Sequence, residues 1–256
     1  MELANRSAII TGGASGLGEA TAIRFVKNGA NVVIFDLNEQ KGLALAERLG
    51  EHAAFIKTNI AKPDDVQKAV EFTIQKFGKV DILVNCAAFA AAMKTTDKKK
   101  GPHDLDLFRR TIEVNVVGTF DVIRTVATRM LENPPNEEGE RGVIINTASV
   151  AAFEGQIGQV AYAASKAATV GMTLPIARDL SEHGIRVCTV APGIFDTPML
   201  GQLPDKVREA LGKMIPFPSR LGKPDEYARL AQHIVENPML NGEVIRLDGA
   251  LRMQPK

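Results

Sequence analysis

The chain has 256 residues, of which 45% are hydrophobic and 24% are charged, a composition typical of one globular domain. Its 31 basic and 30 acidic residues leave a net charge of +1, which excludes a dominant electrostatic attraction to nucleic acid or to a membrane surface. Two cysteines, Cys86 and Cys188, lie in apolar runs and exclude a disulfide framework. With no signal-like start and no apolar run of about 18 residues, we expect a cytoplasmic protein, or a mitochondrial matrix protein in a eukaryotic host.

The first predicted elements are an apolar strand over residues 7–11, a glycine-rich turn and a helix that ends near Asn28. The turn reads Thr11-Gly-Gly-Ala-Ser-Gly-Leu-Gly18. Glycines in this position let the backbone turn sharply and approach a pyrophosphate, which the free amides at the start of the helix attract. The turn therefore indicates a nucleotide site, although such a turn alone is weak evidence.

A second apolar strand over residues 31–35 runs into Asp36, eighteen residues after Gly18. An acidic side chain at this point can accept hydrogen bonds from both ribose hydroxyls of an adenosine. The alternative is that Asp36 caps the following helix.

Further apolar strands alternate with helical patterns, which is typical of parallel pairing through right-handed crossovers. We predict a single-domain α/β protein over residues 1–256, a doubly wound Rossmann fold with a seven-stranded parallel sheet and helices on both faces. The later strands are predicted over residues 53–58, 80–85, 142–147, 185–190 and 243–247. Because ligands bind beyond the carboxyl ends of such strands, one crevice should hold the polar residues found there, namely Thr11, Asp36, Asn59, Asn85 and Ser149.

Three stretches are predicted to be loops, over residues 94–103, 133–141 and 193–205. The first is basic, with four lysines and a histidine, and either attracts the phosphates of a large substrate or is a solvated turn. The third is rich in proline and glycine and begins a predicted substrate lid over about residues 193–222. No pattern of metal ligands stands out, and we expect no metal.

Tyr162 and Lys166 are four residues apart on a predicted helix, so they lie on one face. A cation about 4 Å from a phenol favours the phenolate by up to about 4 kcal/mol, which brings the pKa from about 10 to near 7. That is the range in which a general base works best. An amphipathic helix with an exposed lysine is the alternative interpretation of this spacing alone.

These motifs together resemble the short-chain dehydrogenase/reductase family across essentially the whole chain. The matching features are the glycine turn, Asn85, Asn115, Ser149, Tyr162 with Lys166, and the Pro192-Gly193 pair. Four longer runs, over residues 141–155, 171–179, 216–222 and 241–249, are similar to the branch of the family that oxidises (S)-3-hydroxyacyl-CoA to 3-oxoacyl-CoA. The resemblance implies an NAD-dependent oxidation of a secondary alcohol, with an acyl-CoA as the substrate.

The resemblance also assigns catalytic roles. Tyr162 takes or returns the proton of the alcohol, and Ser149 hydrogen-bonds the same oxygen. Lys166 lowers the pKa of the tyrosine and binds the nicotinamide ribose. Asn115, inside a helix predicted over residues 108–130, supports a water that connects the lysine to solvent.

The cofactor is expected to be NAD, because a 2′-phosphate would meet Asp36 and neither Ser15 nor Leu37 offers a compensating cation. The resemblance places Asn59 and Ile60 at the adenine, Cys86 at the adenosine ribose, and Phe195 and Thr197 at the nicotinamide side. The full set of expected cofactor residues is Gly12, Ser15, Gly16, Leu17, Gly18, Asp36, Asn59, Ile60, Asn85, Cys86, Tyr162, Lys166, Phe195 and Thr197.

Two positions depart from the family pattern. Asn59 stands where the family has aspartate, so only an uncharged carbonyl is available to the adenine amino group. Ala88 stands where the family has glycine, and it would be strained by roughly 1 kcal/mol if the backbone there required a positive φ.

Two alternative functions stay open at this point. One keeps the chemistry but acts on a steroid or a small hydroxy acid, and the other is a scaffold subunit of an RNA-processing complex. The helices predicted over residues 108–130 and 160–180 are apolar around more of their circumference than one sheet face can cover. In the family these helices join subunits, and we expect a homotetramer; packing against each other within one subunit is the alternative.

Overall fold

A computed structural model describes residues 1–198, 200, 201 and 204–255. Within these ranges the strands are β1 (Ser7–Thr11), β2 (Asn31–Asp36), β3 (Ala53–Lys57), β4 (Ile82–Asn85), β5 (Thr96–Asp97), β6 (Gly101–Pro102), β7 (Gly142–Thr147), β8 (Ile185–Pro192) and β9 (Val244–Leu247). The α-helices are α1 (Gly16–Lys27), α2 (Glu39–Leu49), α3 (Pro63–Phe77), α4 (Leu105–Ile112), α5 (Thr119–Met130), α6 (Val160–Ser181), α7 (Asp205–Lys213) and α8 (Pro224–Glu236).

Seven strands form one parallel sheet in the order β3-β2-β1-β4-β7-β8-β9, which confirms the predicted fold class. The order reverses beside β1, because the chain first builds outward through β2 and β3 and then returns to β4 on the other side. This reversal opens a crevice between the segments that follow β1 and β4 at the carboxyl edge of the sheet.

Helices cover both faces of the sheet because its central strands are apolar on both sides. On one face, α1, α2 and α8 contribute to a core that includes Phe25, Leu45 and Tyr227. On the other face, α3, α5 and α6 contribute to a second core that includes Val70, Val126 and Ile176. The sheet is therefore the middle of three layers.

The predicted strands agree with the observed ones to within two residues, and the helix predicted to end near Asn28 ends at Lys27. The helix predicted over residues 108–130 is present, but it begins at Leu105 and is not α-helical throughout. The structure has α4, then a π-helical segment (Glu113–Gly118), then α5. The wider turn places Asn115 against the main chain of Phe89, and an inserted π turn of this kind is common at functional sites.

Two further predictions about loops require correction. The stretch over residues 94–103 contains a small antiparallel hairpin, formed by β5 and β6, whose turn is closed by the Asp97 carboxylate accepting from the backbone N–H groups of Lys99 and Lys100. Ala88 is not strained by a positive φ. Among the described non-glycine residues, only Asn5 and Ala250 have a positive φ.

Candidate active site

The crevice at the carboxyl edge of the sheet is a cleft of about 780 Å³. It brings together most of the residues expected at the site, from seven separate stretches of the chain. These are Gly12, Ser15, Gly16, Leu17, Gly18, Asp36, Asn59, Ile60, Cys86, Ser149, Tyr162, Lys166, Phe195 and Thr197. Three expected residues, Thr11, Asn85 and Asn115, do not line the cleft.

The glycine turn approaches the segment after β4 very closely. A β-carbon built on Gly12, where φ is +63°, would lie 2.7 Å from the backbone nitrogen of Ala87. A side chain on Gly18 would meet the carbonyl of Gly12. Glycine at these positions is therefore needed so that the turn can fold back under the start of α1 and present its amides to the cleft.

Asp36, at the end of β2, faces the same turn. Its carboxylate accepts hydrogen bonds from the backbone N–H groups of Ala14 at 3.0 Å and Asn38 at 2.9 Å. The helix-cap alternative for Asp36 is wrong, because the side chain of Asn38 caps α2 by accepting from Lys41 N–H. Each carboxylate oxygen of Asp36 keeps a lone pair that is free to accept from the cleft side.

The segment after β3 forms the next part of the wall. The Asn59 side-chain carbonyl accepts from the backbone N–H of Ala61 at 3.1 Å, and the backbone N–H of Asn59 donates to Asp65. This local bonding fixes the orientation of the side chain that stands in place of the usual aspartate. The neighbouring Ile60 is 6% exposed and adds an apolar surface suited to a flat base.

Ser149 and Tyr162 stand together at the other end of the cleft. Ser149 follows β7 and begins a short 3₁₀ turn, in which its hydroxyl accepts from Ala151 N–H at 3.2 Å. Tyr162 lies in the first turn of α6. Burial raises the pKa of the Tyr162 phenol, and the neighbouring Ser149 hydroxyl opposes part of this rise in pKa.

Lys166 lies one helical turn after Tyr162, with its ammonium group 5.7 Å from the centre of the tyrosine ring. The ammonium donates to the backbone carbonyl of Thr147 at 2.8 Å, and burial lowers the pKa of Lys166 to about 8. The expected shift of the tyrosine pKa toward 7 by this lysine is not found. The physical reason is that both groups are buried, so the neutral form of each is favoured and the ammonium is directed at a carbonyl.

Two polar residues predicted to line the crevice lie behind its floor instead. Thr11 and Asn85 are buried, and the Thr11 hydroxyl donates to the Asn85 side-chain carbonyl at 3.3 Å. The Asn85 amide donates to Asn146 on β7, while Ala87 N–H donates to the Thr11 hydroxyl. These side chains bind β1 to β4 and hold the segment after β4 in place, so they shape the cleft without entering it.

Asn115 also serves the surrounding backbone. Its amide donates to the Phe89 carbonyl at 2.8 Å and to the Ser165 hydroxyl at 2.9 Å, and its carbonyl accepts from Phe89 N–H at 2.7 Å. Both amide hydrogens are used, which leaves one carbonyl lone pair for any further partner. Through Ser165, which is three residues after Tyr162, Asn115 ties the π-helical segment to α6.

Several cleft residues were not foreseen. Thr147 ends β7 and its carbonyl accepts a hydrogen bond from Lys166. The only sequence signal that places Thr147 at the cleft is its position two residues before Ser149. Arg110 stacks on Phe89, with its guanidinium carbon 4.7 Å from the ring centre, and Gln156 and Met253 complete the wall near Tyr162. Met253 arrives from the carboxyl-terminal segment, and no local sequence signal places that segment at the cleft.

The residues present fit a dinucleotide. Gly16, where φ is +57°, faces a gap between the turn and Thr197. A β-carbon added to Gly16 would lie in this gap, 3.5 Å from the existing β-carbon of Thr197. The turn thus leaves room for a ligand at the start of α1, with a carboxylate at one end of the cleft and a phenol beside an ammonium at the other.

Comparison with known proteins gives a consistent result. The short chain dehydrogenase family model matches residues 6–208. The 3-hydroxyacyl-CoA dehydrogenase type-2 of Drosophila melanogaster is 58% identical over 252 residues, which cover 98% of this chain and 99% of that protein.

Two solved structures share the fold. The 3-hydroxyacyl-CoA dehydrogenase type-2 of Mycobacterium avium superposes with a TM-score of 0.95 at 45% identity, covering 98% of each chain. The 3-ketoacyl-(acyl-carrier-protein) reductase of Brucella melitensis, in complex with NADH, superposes with a TM-score of 0.87 at 33% identity, covering 98% of this chain and all of that one.

Proposed function

The chain belongs to the short-chain dehydrogenase family, and from that membership we propose that it oxidises an (S)-3-hydroxyacyl-CoA to a 3-oxoacyl-CoA with NAD. The observation that carries the proposal is that Ser149, Tyr162 and Lys166 line one end of a cleft whose other end is closed by Asp36 and the glycine turn. The high identity to 3-hydroxyacyl-CoA dehydrogenases supports the choice of substrate, and it does not favour a steroid, a small hydroxy acid or a scaffold role.

Bound NAD would supply the acceptor for the hydride that leaves the carbon carrying the hydroxyl group. The glycine turn and the first amides of α1 hold its pyrophosphate, and Asp36 accepts from the adenosine ribose. Asn59 and Ile60 flank the adenine, while Phe195 and Thr197 are on the nicotinamide side. Because Asp36 would repel a 2′-phosphate, the site selects NAD over NADP.

Tyr162 is the proton acceptor for the alcohol, and Ser149 holds the same oxygen in line by a hydrogen bond. Since burial raises the pKa of Tyr162, the phenol keeps its proton at neutral pH in the cofactor-free protein. The phenolate needed for oxidation becomes more abundant as the pH rises, whereas reduction of the ketone uses the phenol directly. The rate of oxidation should therefore be higher at alkaline pH, and the rate of reduction higher at neutral pH.

Lys166 contributes a positive charge beside the tyrosine and donors for the nicotinamide ribose. Thr147 takes one of its three N–H groups among the described residues, which leaves two for acceptors of the ribose, and Lys166 lines the cleft. Asn115 acts through the backbone by fixing Phe89 and the helix that carries Tyr162. We assign it a positioning role, and the water that the family resemblance implied remains a prediction.

The CoA part of the substrate has a route out of the cleft. A second, more open cavity of about 520 Å³ shares Gln156 and Gln159 with the main cleft and is bordered by Lys94. The hairpin formed by β5 and β6 rises from the same segment and exposes Lys98, Lys99 and Lys100 at its turn.

Residues 193–222 form the lid over the opposite side of the cleft in this proposal. Its two ends are joined, because Phe195 pairs with Gly222 in a parallel bridge. Positions 199, 202 and 203 of the proposed lid lie outside the described residues.

The subunits assemble as a homotetramer in this proposal. Helix α6 packs on α4 and on the π-helical segment within the chain. Exposed apolar side chains nevertheless remain on these elements and on the adjoining α5, at Val117, Phe120, Val160 and Leu174. Each is more than 40% exposed, which supports a second layer of helices supplied by a neighbouring subunit.

We propose a reducing compartment for the protein. Cys86 and Cys188 are both free, which supports a reducing environment, either the cytoplasm or, in a eukaryote, the mitochondrial matrix. No helix among the described residues is long and apolar enough to cross a membrane.

The test is NADH formation from (S)-3-hydroxybutyryl-CoA, measured by absorbance beside a steroid alcohol and beside a control with NADP. We expect turnover with the CoA thioester and NAD, and at least about tenfold lower kcat/KM with NADP. Equal or better turnover of the steroid would overturn the assigned substrate, and a lack of turnover with every alcohol would overturn the enzyme assignment.

A further inference from the structure

A closed ring of three hydrogen bonds lies under the cleft floor. Thr147 Oγ1 is 2.7 Å from the phenol oxygen of Tyr227 and donates to Cys86 Sγ at 3.6 Å, and the Cys86 thiol donates to the Tyr227 phenol at 3.7 Å. If Tyr227 donates to Thr147, each group donates once and accepts once. Cyclic arrangements of this kind strengthen each bond and fix all three side chains.

Tyr227 is an unusual occupant of its position. It lies on α8, is fully buried and belongs to the apolar core that includes Phe25 and Ile234. Burial raises the pKa of its phenol well above the ordinary value of 10, so the group stays neutral. A phenylalanine ring would fill the same apolar space. What the tyrosine adds is a hydroxyl group whose buried oxygen contacts Thr147 and Cys86.

Thr147 joins the two faces of the sheet at this point. Its side chain points to α8, where it meets Tyr227, while its backbone carbonyl accepts from Lys166 on α6 at 2.8 Å. This carbonyl is the single hydrogen-bond partner of the Lys166 ammonium among the described residues. The position of the ammonium therefore depends on the position of Thr147.

We propose that Tyr227 is a positioning residue for the reaction, which fixes Thr147 from behind the sheet and so holds the Lys166 ammonium at the depth where it meets the cofactor ribose. The inference rests on the proposed function, because it assumes that Lys166 binds the cofactor. It assigns a role to a residue on the opposite face of the sheet from the catalytic helix.

Loss of the phenol hydroxyl has a specific expected effect. In Tyr227→Phe, the Thr147 hydroxyl loses its hydrogen bond with the Tyr227 phenol. The backbone carbonyl of Thr147 then no longer holds the Lys166 ammonium in one place. The titratable groups that face Lys166 are Tyr162 and Cys86, and burial raises the pKa of both, so both are neutral near pH 7. A buried ammonium with a weaker acceptor gives up its proton at a lower pH. The charge that binds the cofactor is then lost at a lower pH than in the wild type, while the protein remains folded.

The experiment is a fluorescence titration with NADH, without substrate, between pH 6.5 and 9.5. For Tyr227→Phe we expect binding within about twofold of the wild type at pH 6.5, at least about fivefold weaker binding at pH 8.5, and a pH midpoint lowered by at least about half a unit. Thr147→Val removes the same contact from the strand side and should shift the midpoint in the same direction. The double variant should add little to either single change.

Thr189→Val is the matched control. Thr189 is buried on β8 and shares a 2.6 Å hydroxyl contact with Thr173 on α6, away from Lys166. It should lower the melting temperature without moving the pH midpoint. If Tyr227→Phe does not fold, Thr147→Val decides the question. An unchanged midpoint, or equal weakening at every pH, overturns the inference, and neither result depends on whether a 3-hydroxyacyl-CoA is oxidised.

Discussion

The carboxylate of Asp36 accepts a 3.0 Å hydrogen bond from the backbone N–H of Ala14, so the end of β2 is fastened to the glycine turn after β1. The side chain therefore shapes the turn, and in the proposed function it also selects the cofactor. Asp36→Ala should weaken NAD binding about tenfold or more and reduce discrimination against NADP, because a charge that repels the 2′-phosphate is gone. Calorimetric titration with both dinucleotides measures the effect. An unchanged NAD to NADP ratio would exclude the ribose role of Asp36.

Tyr162→Phe should abolish oxidation while leaving the NAD affinity within about threefold of the wild type. The ring and Lys166 remain in this variant, and only the proton-carrying oxygen is lost. Initial rates and NADH titrations on the same preparation separate the two effects. More than about a tenth of the wild-type kcat would show that another group moves the proton.

Replacement of Lys98, Lys99 and Lys100 by alanine should raise KM for 3-hydroxybutyryl-CoA severalfold and leave KM for a substrate without CoA unaltered. These lysines are exposed on the hairpin turn, so their attraction acts through solvent and should weaken as salt is added. The control is a double variant in which Lys68 and Lys76 are replaced by alanine. Both lysines are exposed on α3. A similar rise of KM for both substrates would show that the lysines do not attract CoA and that the hairpin is only a solvated turn.

The exposed apolar side chains on α5 and α6 predict the assembly. Light scattering at micromolar concentration should give a mass of about four times the 27.6 kDa of one chain. Phe120→Arg should lower that mass, since Phe120 is 45% exposed in the single subunit. A wild-type mass near that of one chain would exclude the tetramer.

The depressed pKa of Lys166 predicts how stability depends on pH. In the cofactor-free protein, burial lowers this pKa from 10.5 to about 8, so between these values the unfolded chain binds a proton that the folded chain does not. The free energy of unfolding of the wild type should therefore rise with pH across this window relative to Lys166→Met, by about 3 kcal/mol in total. Urea unfolding of both proteins below and above this window checks the sign; a difference that stays constant with pH would contradict it.

The features that the sequence predicts best are those set by residues close together in the chain. The period of apolar residues located β1 and β7 to the residue, and glycine spacing identified the turn because Gly12 and Gly16 adopt positive φ values there. The spacing of Tyr162 and Lys166 placed both in the cleft, because four residues span one turn of α6.

The predictions failed where a contact depends on parts of the chain that are distant in sequence. Tyr227 and Thr147 are 80 residues apart, and nothing near either position indicates that they meet. The π-helical segment was missed because its extra residue is stabilised by Asn115 bonding to Phe89, a contact outside the helix. The shift expected in the Tyr162 pKa was derived from distance alone, and burial of both partners opposed it.

The close approach of Thr197 to Gly16 has a consequence for how the protein is made. Gly16 begins the first helix and Thr197 follows β8, so the two walls of the cleft come from nearly opposite ends of the chain. A ribosome must release most of the polypeptide before the cleft has both walls. The cofactor can therefore bind a two-walled cleft only in chains that extend beyond β8, and a chain truncated before β8 lacks one wall of the site. Cellular NAD would then protect finished molecules from proteolysis and leave incomplete ones to be degraded.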